Sequence, residues 1–252
     1  MNLLAFDTST EMMSVAVSRT LSDADQTVQL WQHTAAGGAQ TSAHLIPAIQ
    51  DLMAQANLQF SQLDAIVFGS GPGSFTGLRT ACAVAQGLAF GANVKVLPVD
   101  TLLAVAEEAR FQHAADLATF PVLALLDARM NEVYAARYCF ESGQWTQTMG
   151  HGLIRPEELM SDAGCTWAGN VFAVYGARLP VSSASAPAAS ASPATDVARG
   201  VDALPTATAL LRLAPALLAA GGAVRADQAL PLYIRDKVAK TTLERAAEKA
   251  AL

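Results

Sequence analysis

Residues 3–19, LLAFDTSTEMMSVAVSR, hold an apolar strand, an Asp at its end, a short polar turn and an alternating second strand. Residues 120–138, FPVLALLDARMNEVYAARY, repeat that outline about half a chain later. Apolar runs of strand length bounded by turn residues read as β-strands. Two copies of one strand-Asp-turn-strand unit predict two similar lobes. The plainer alternative, that any two hairpins look alike at this level, stays open.

Working outward from the first copy, QTVQLWQHT (26–34) supplies a third strand. In TSAHLIPAIQDLMAQANL (41–58), Leu45, Ala48, Ile49, Leu52 and Ala56 recur at helical spacing. Thr41 or Ser42 is the expected cap, and Pro47 is placed in the first turn, where a missing N–H costs little. The strand DAIVFGS (64–70) leads into a glycine turn and a helix of about 75–91. KVLPVD (95–100) is a strand, and TLLAVAEEARFQ (101–112) a helix opened by Asp100 or Thr101. Beyond the second copy the pattern is less regular. RPEELMS (155–161) predicts a short capped helix and CTWAGNVFAVY (165–175) a strand and turn. VSSASAPAASASPAT, at 181–195, is a Ser/Ala/Pro-rich loop too poor in large apolar groups to offset its ordering entropy. TATALLRLAPALLAAGG (206–222) predicts a last long helix ending at Gly221, and the tail 241–252 is helical or frayed. The expected division is a first lobe over 1–99 and a second over 100–252.

Composition narrows the chemistry. Of 252 residues, 52% are hydrophobic and 15% charged, with a net charge of −6. Up to Val94 the only cations are Arg19 and Arg79. A nucleic-acid groove needs clustered Lys and Arg to displace counterions, so this chain is not expected to hold a polyanion alone. Cys82, Cys139 and Cys165 are far apart, which suggests buried thiols in a reducing compartment. MNLLAFD lacks a basic segment, and the greasy stretches carry Gln, Lys, Arg, Pro or repeated Gly. Neither a signal peptide nor a membrane span is expected, and the predicted location is the cytoplasm.

The glycine turn GSGPGSFTGLR (69–79) sits where many proteins cradle a phosphate. The Walker pattern fails from Gly69, Gly71 and Gly73 alike, and no lysine is near. The spacing is GxGxG, so the dinucleotide pattern fails too. Anion binding by bare N–H groups at the helix start stays open. The favoured reading is geometric, with Gly71 and Gly73 allowing unusual backbone angles and close approach around Pro72. The helix that follows is apolar or small almost all round, with Arg79 and Gln86 on its one polar side. Ala81, Cys82, Ala85 and Ala89 leave it little side-chain thickness, so a neighbour can approach closely. A helix apolar on every face must be covered on every face. The helix 41–58 has its own wide apolar arc, running through Leu45, Ile49 and Met53 to Ile46. Surplus apolar surface on both predicts either a helix-pair interface with another chain or a third internal helix. On the first reading, bulk at Ala85 or a charge at Gly87 blocks the partner without unfolding the chain.

Catalytic patterns are thin. Asp7-Thr8-Ser9 offers a carboxylate and two hydroxyls at a strand end, a candidate for magnesium-bound phosphate, and Asp127 holds the matching position in the second copy. His33, His44, His113 and His151 never fall at metal-ligand spacing. Neither Ser70 nor Ser74 lies in a nucleophile elbow.

Together, LLAFDTSTEMMSVAV, the HLIPAI helix, GSGPGSFTGLRTACAVAQGLA and LLDARMNEVYAARY resemble the TsaB (YeaZ) family of tRNA N6-threonylcarbamoyladenosine synthesis. The resemblance runs from Met1 to about Tyr138 and resumes at LPLYIRDKVA (230–239); residues 175–205 depart from it. It implies the two-lobed actin-like/sugar-kinase/heat-shock (ASKHA) α/β fold. It also implies a non-catalytic subunit that heterodimerises with the transferase TsaD, which carries the metal-binding histidines. The partner-binding helices implied are 42–57 and 75–91. Their contact residues would be Leu45, Ile46, Ile49 and Met53 on the first, and Gly71, Pro72, Gly73, Phe75, Leu78, Arg79, Ala81, Cys82, Ala85, Gln86 and Ala89 at and along the second. The ATPase TsaE would dock on that pair, homodimers could use the same surface, and tRNA would be met only through the complex. No cofactor is then required by this chain, with ATP and magnesium entering at the level of the complex and Asp7, Thr8 and Ser9 a vestigial nucleotide loop. Two alternatives stand beside this. One is a free-standing ATP-dependent phosphotransferase using Asp7, Thr8 and Asp127; the other is a glycoprotease-like peptidase.

Overall fold

The repeated unit forms the centre of two five-stranded sheets in the computed structural model, which describes residues 1–22, 27–160, 164–180 and 200–235. In the first sheet β1 (Asn2–Asp7) pairs antiparallel with β2 (Met12–Ser22), and β2 pairs antiparallel with β3 (Thr27–Ala36). On its other side β1 runs parallel to β4 (Ala65–Gly71), and β4 parallel to β5 (Lys95–Asp100), giving the order β3-β2-β1-β4-β5. The second sheet repeats this plan. β6 (Thr119–Asp127) pairs antiparallel with β7 (Val133–Glu141), which pairs antiparallel with β8 (Gln144–Ile154). β6 also runs parallel to β9 (Thr166–Gly169), and β9 parallel to β10 (Gly200–Asp202). Both sheets therefore place their first strand centrally, with two strands joined by antiparallel pairing on one side and two joined by parallel pairing on the other. That identity of order bears out the duplicated, two-lobed α/β architecture of the ASKHA type.

Central parallel strands are covered on both faces and read as continuous apolar runs. Leu3, Leu4, Ala5 and Phe6 are accordingly all buried. One face of the first sheet, with Leu4, Phe6, Met13 and Val15, carries α1 (Thr41–Gln55) and α2 (Phe75–Ala92). The other face, with Leu3, Ala5, Val67 and Leu97, carries α5 (Ala207–Ala219), which returns from the far end of the chain. α3 (Thr101–His113) packs Leu102, Val105 and Ala109 on the second sheet while Ala104 joins the α5 side of the first. The second sheet's remaining face buries Trp167 and Leu125 beside the one-turn helix α4 (Phe172–Tyr175).

Asp100 caps α3 as expected, its carboxylate accepting the Leu102 N–H at 2.9 Å, and Thr206 caps α5 by accepting from Ala209 N–H at 3.0 Å. Gly221, at φ +80°, ends α5. Three local expectations change. α1 has no Thr41 or Ser42 side-chain cap, because a 3₁₀ turn (Gly38–Gln40) runs straight into it and the Gly38 carbonyl takes the Thr41 N–H. Pro47 therefore lies in the second turn of α1, on its exposed side. RPEELMS forms only a single 3₁₀ turn, Pro156–Glu158, with no side-chain cap. The 181–195 loop and the tail 241–252 lie outside the described residues.

Candidate functional site

The glycine turn is shaped by its own chain. A Cβ on Gly69 would stand 1.7 Å from Asp7 Oδ2, one on Gly73 2.6 Å from Ser9 Cβ, and one on Gly77 1.8 Å from the Thr8 carbonyl. Glycine is required here because the turn and the first residues of α2 press directly onto the end of β1. The contact is also hydrogen-bonded, Ser74 N–H to Ser9 O at 2.7 Å and Thr8 Oγ1–H to Gly77 O at 2.8 Å. Gly71 adopts φ +124°, and the space its Cβ would take is filled by the Leu232 carbonyl at 2.4 Å.

This packing decides what Asp7-Thr8-Ser9 can do. All three are buried. Asp7 Oδ1 accepts both the Ser9 N–H (2.9 Å) and the Ser9 hydroxyl (2.7 Å), and Oδ2 is buried without a hydrogen-bond partner. Burial pushes the Asp7 carboxyl up to about 6, against the opposing pull of the two Ser9 hydrogen bonds. The Thr8 and Ser9 hydroxyls and the Ser9 N–H, which would meet a phosphate, are spent on main-chain and carboxylate acceptors, and α2 begins against the strand end. ATP with magnesium does not fit this arrangement. In the second lobe Asp127 accepts from the Tyr175 hydroxyl at 2.7 Å and the Arg129 N–H at 2.8 Å, again an internal cap. Among the described residues no group of three or more His, Cys, Asp or Glu is placed to hold a metal ion, and Cys82, Cys139 and Cys165 form no disulfide.

The expected contact residues divide sharply. Leu45, Ile49 and Met53 of α1 and Leu78, Ala81, Cys82, Ala85 and Ala89 of α2 are buried inside the first lobe. All but Leu78 pack in the core on their own sheet and Leu78 lies beside Gly71, so they are corrected from partner contacts to interior residues. Gly71 and Pro72 are buried as well, Gly73 rests on Ser9, and Gln86 is half-buried with its amide donating to Ala229 O at 2.8 Å. Ile46, Phe75 and Arg79 are exposed. Arg79 lies with its guanidinium 3.8 Å above the Phe75 ring and donates to the Tyr233 hydroxyl at 3.0 Å.

Apart from Ile46 and Gly87, the outward faces consist of residues that the expected contacts left out. On α2 they comprise Thr76, Ala83, Gly87, Phe90 and Gly91, with Phe90 83% exposed and open space beside Gly87 and Gly91. On α1 they comprise Ala43, Ile46, Pro47, Gln50 and Ala54. Both helices lie on one face of the sheet, so both outward faces look away from it in the same sense. Apart from His44, α1 carries a single charged side chain, Asp51, and α2 only Arg79.

A protein-family model described as "TsaD: tRNA N6-adenosine threonylcarbamoyltransferase" matches residues 32–243. The tRNA threonylcarbamoyladenosine biosynthesis protein TsaB of Escherichia coli K12 is 32% identical over 243 residues, spanning 95% of this chain and 96% of that one. The chain belongs to the TsaB family. TsaB of Haemophilus influenzae is 37% identical over 171 residues, 64% of this chain and 67% of its own length. Among solved structures, YeaZ from Pseudomonas aeruginosa superposes with a TM-score of 0.74 at 33% identity, covering 92% of this chain and 99% of that one. Membership of the TsaB family thus extends well beyond the motifs of the first half. No helix among the described residues is long and apolar enough to cross a membrane.

Proposed function

We propose that this chain is a non-catalytic subunit of the complex that makes N6-threonylcarbamoyladenosine at position 37 of tRNA. It docks a TsaD-like transferase on the outward faces of α1 and α2. Membership of the TsaB family supports a role in tRNA threonylcarbamoyladenosine biosynthesis, and the match to a TsaD family model supports a transferase-like partner. The observation that carries the reading is the paired outward face of α1 and α2, small, nearly uncharged and topped by an exposed Phe90. Small residues let helices from another chain approach closely, and an apolar patch of low charge is what an interface core requires. A TsaE-like ATPase joins the assembled pair and brings ATP and magnesium, which this chain does not need for itself. A second copy of the chain takes the same face when the transferase is absent. The tRNA is met through the complex, in line with the scarcity of cations on the first lobe. The phosphotransferase alternative lacks an open site at Asp7-Thr8-Ser9, and no residue cluster among the described residues supports a peptidase.

The test uses Gly87, whose surroundings are open, and avoids Ala85, which is buried and would unfold the lobe if enlarged. Gly87→Arg is expected to keep the circular-dichroism spectrum and melting temperature of the parent. It should lose co-elution with the TsaD-like subunit, since an unpaired Arg buried in an interface costs several kcal/mol. Retained co-elution with unchanged tRNA modification overturns the assignment.

A further inference from the structure

Residues 229–235 form no strand or helix, yet they hold both lobes. On the first lobe the Ala229 carbonyl accepts from Cys82 Sγ at 3.3 Å and Gln86 Nε2 at 2.8 Å. The Leu232 N–H donates to Ser70 O at 2.7 Å, and the Leu232 carbonyl fits into the notch left by Gly71. Tyr233 packs its ring 5.5 Å from that of Phe75 and takes the Arg79 hydrogen bond. One residue later Ile234 packs against the core of the second lobe. Arg235 then donates to Ala128 O at 3.0 Å and pairs with Glu132 at 2.8 Å, its side chain only 12% exposed. A stretch of extended chain thus ties the glycine turn and the start of α2 to the β6–β7 turn. It gives the Gly71 geometry a purpose, because a side chain at 71 would collide with the strap.

We propose that residues 229–235 are a strap that couples the β6–β7 turn to the N-terminal half of α2, so that loosening either end loosens the other. The physical basis is that the strap has no internal hydrogen-bonded structure to stop a disturbance part-way. Only two residues separate the Leu232 anchor on one lobe from the Arg235 anchor on the other, and so short a segment has no slack. A coupling of this kind is reciprocal. It also stands apart from the docking role, since it concerns contacts within one chain and holds whatever binds α2.

Amide hydrogen exchange on the full chain tests it. Arg235→Ala removes the anchor on the second lobe and touches nothing on α2. It is expected to raise exchange at residues 78–82 by tenfold or more, along with exchange at 128–132. Conversely, Tyr233→Ala, which touches only the first lobe, should raise exchange at Glu132, whose N–H is bonded to Arg129 O. Arg235→Lys, which can keep the pairing with Glu132, should fall between the parent and Arg235→Ala. The central amides of β7 serve as the ruler for global opening. If each variant accelerates exchange only at its own end, or if β7 accelerates equally with α2, the strap transmits nothing and the proposal is overturned.

Discussion

Asp7 is fully buried, with one carboxylate oxygen satisfied by Ser9 and the other facing the bare Cα of Gly69. Its carboxyl rises from 3.8 to about 6 because burial penalises the charge more than Ser9 relieves it. The folded state therefore keeps its proton to a higher pH than the unfolded chain. The stabilisation linked to that proton is complete below about pH 4 and lost as pH rises through 6. A gap of about two units corresponds to about 3 kcal/mol. His151 acts in the same direction, because the hydrogen bond from its Nε2 to Asp100 (2.9 Å) raises its affinity for a proton despite partial burial. Its share is lost higher on the scale, as pH rises through its own raised value. Melting temperatures of the parent should thus fall between pH 4 and 8. Asp7→Asn removes one titration and should narrow that fall by about 5–10 °C. Parallel curves for parent and Asp7→Asn in a calorimetric pH series would show that Asp7 stays charged when folded.

At the scale of single elements, α2 shows two kinds of glycine. Gly77 lies where a Cβ would meet the Thr8 carbonyl at 1.8 Å, whereas Gly87 faces open space. Gly77→Ala is expected to prevent folding or cost more than about 3 kcal/mol, since backbone cannot yield as a side chain can. Gly87→Ala should stabilise the chain by about 0.5–1 kcal/mol through helix propensity alone. Urea midpoints would separate the two, and a destabilised Gly87→Ala would mean that its outward face is already occupied. The same contrast explains what could be read in advance. The existence of α1 followed from apolar spacing, α2, α3 and α5 were also legible as helices, and the two-lobed plan followed from one repeated unit. The facing of α2 did not follow, because a helix small on nearly every side has no spacing that marks which arc meets its sheet. Asp7-Thr8-Ser9 looked like a phosphate loop because residue type is visible in sequence, while the burial that closes it comes from glycines some 60–70 positions on. The strap carried no periodicity at all, and its partners on α2 are remote in sequence.

For the whole molecule, the decisive feature is that α5 crosses back to the first sheet and meets α3 between the lobes. A buried charge cluster stitches that junction. Arg212 of α5 donates to Glu107 at 2.9 Å and Glu108 at 2.5 Å, Arg110 pairs with Glu107 at 3.0 Å, and Trp145 of β8 donates to Glu107 at 3.0 Å. Thr206 donates its hydroxyl to Glu108 at 2.7 Å. The two glutamates are almost wholly buried, so their charges depend on these donors. Removing one partner of a buried pair costs more than the pair contributes, because the remaining charge stays desolvated. Arg212→Leu is expected to cost about 3 kcal/mol, somewhat less than a fully enclosed pair would, since Arg212 is itself a quarter exposed. The consequence should reach beyond stability. With the junction intact, both lobes should unfold in one transition with matching calorimetric and van 't Hoff enthalpies. In Arg212→Leu the second sheet, deprived of its hold on α5, should unfold separately, and the calorimetric enthalpy should exceed the van 't Hoff value. A single matched transition in the variant would show that α3 packing alone unites the lobes and that the charge cluster is dispensable for their cooperation.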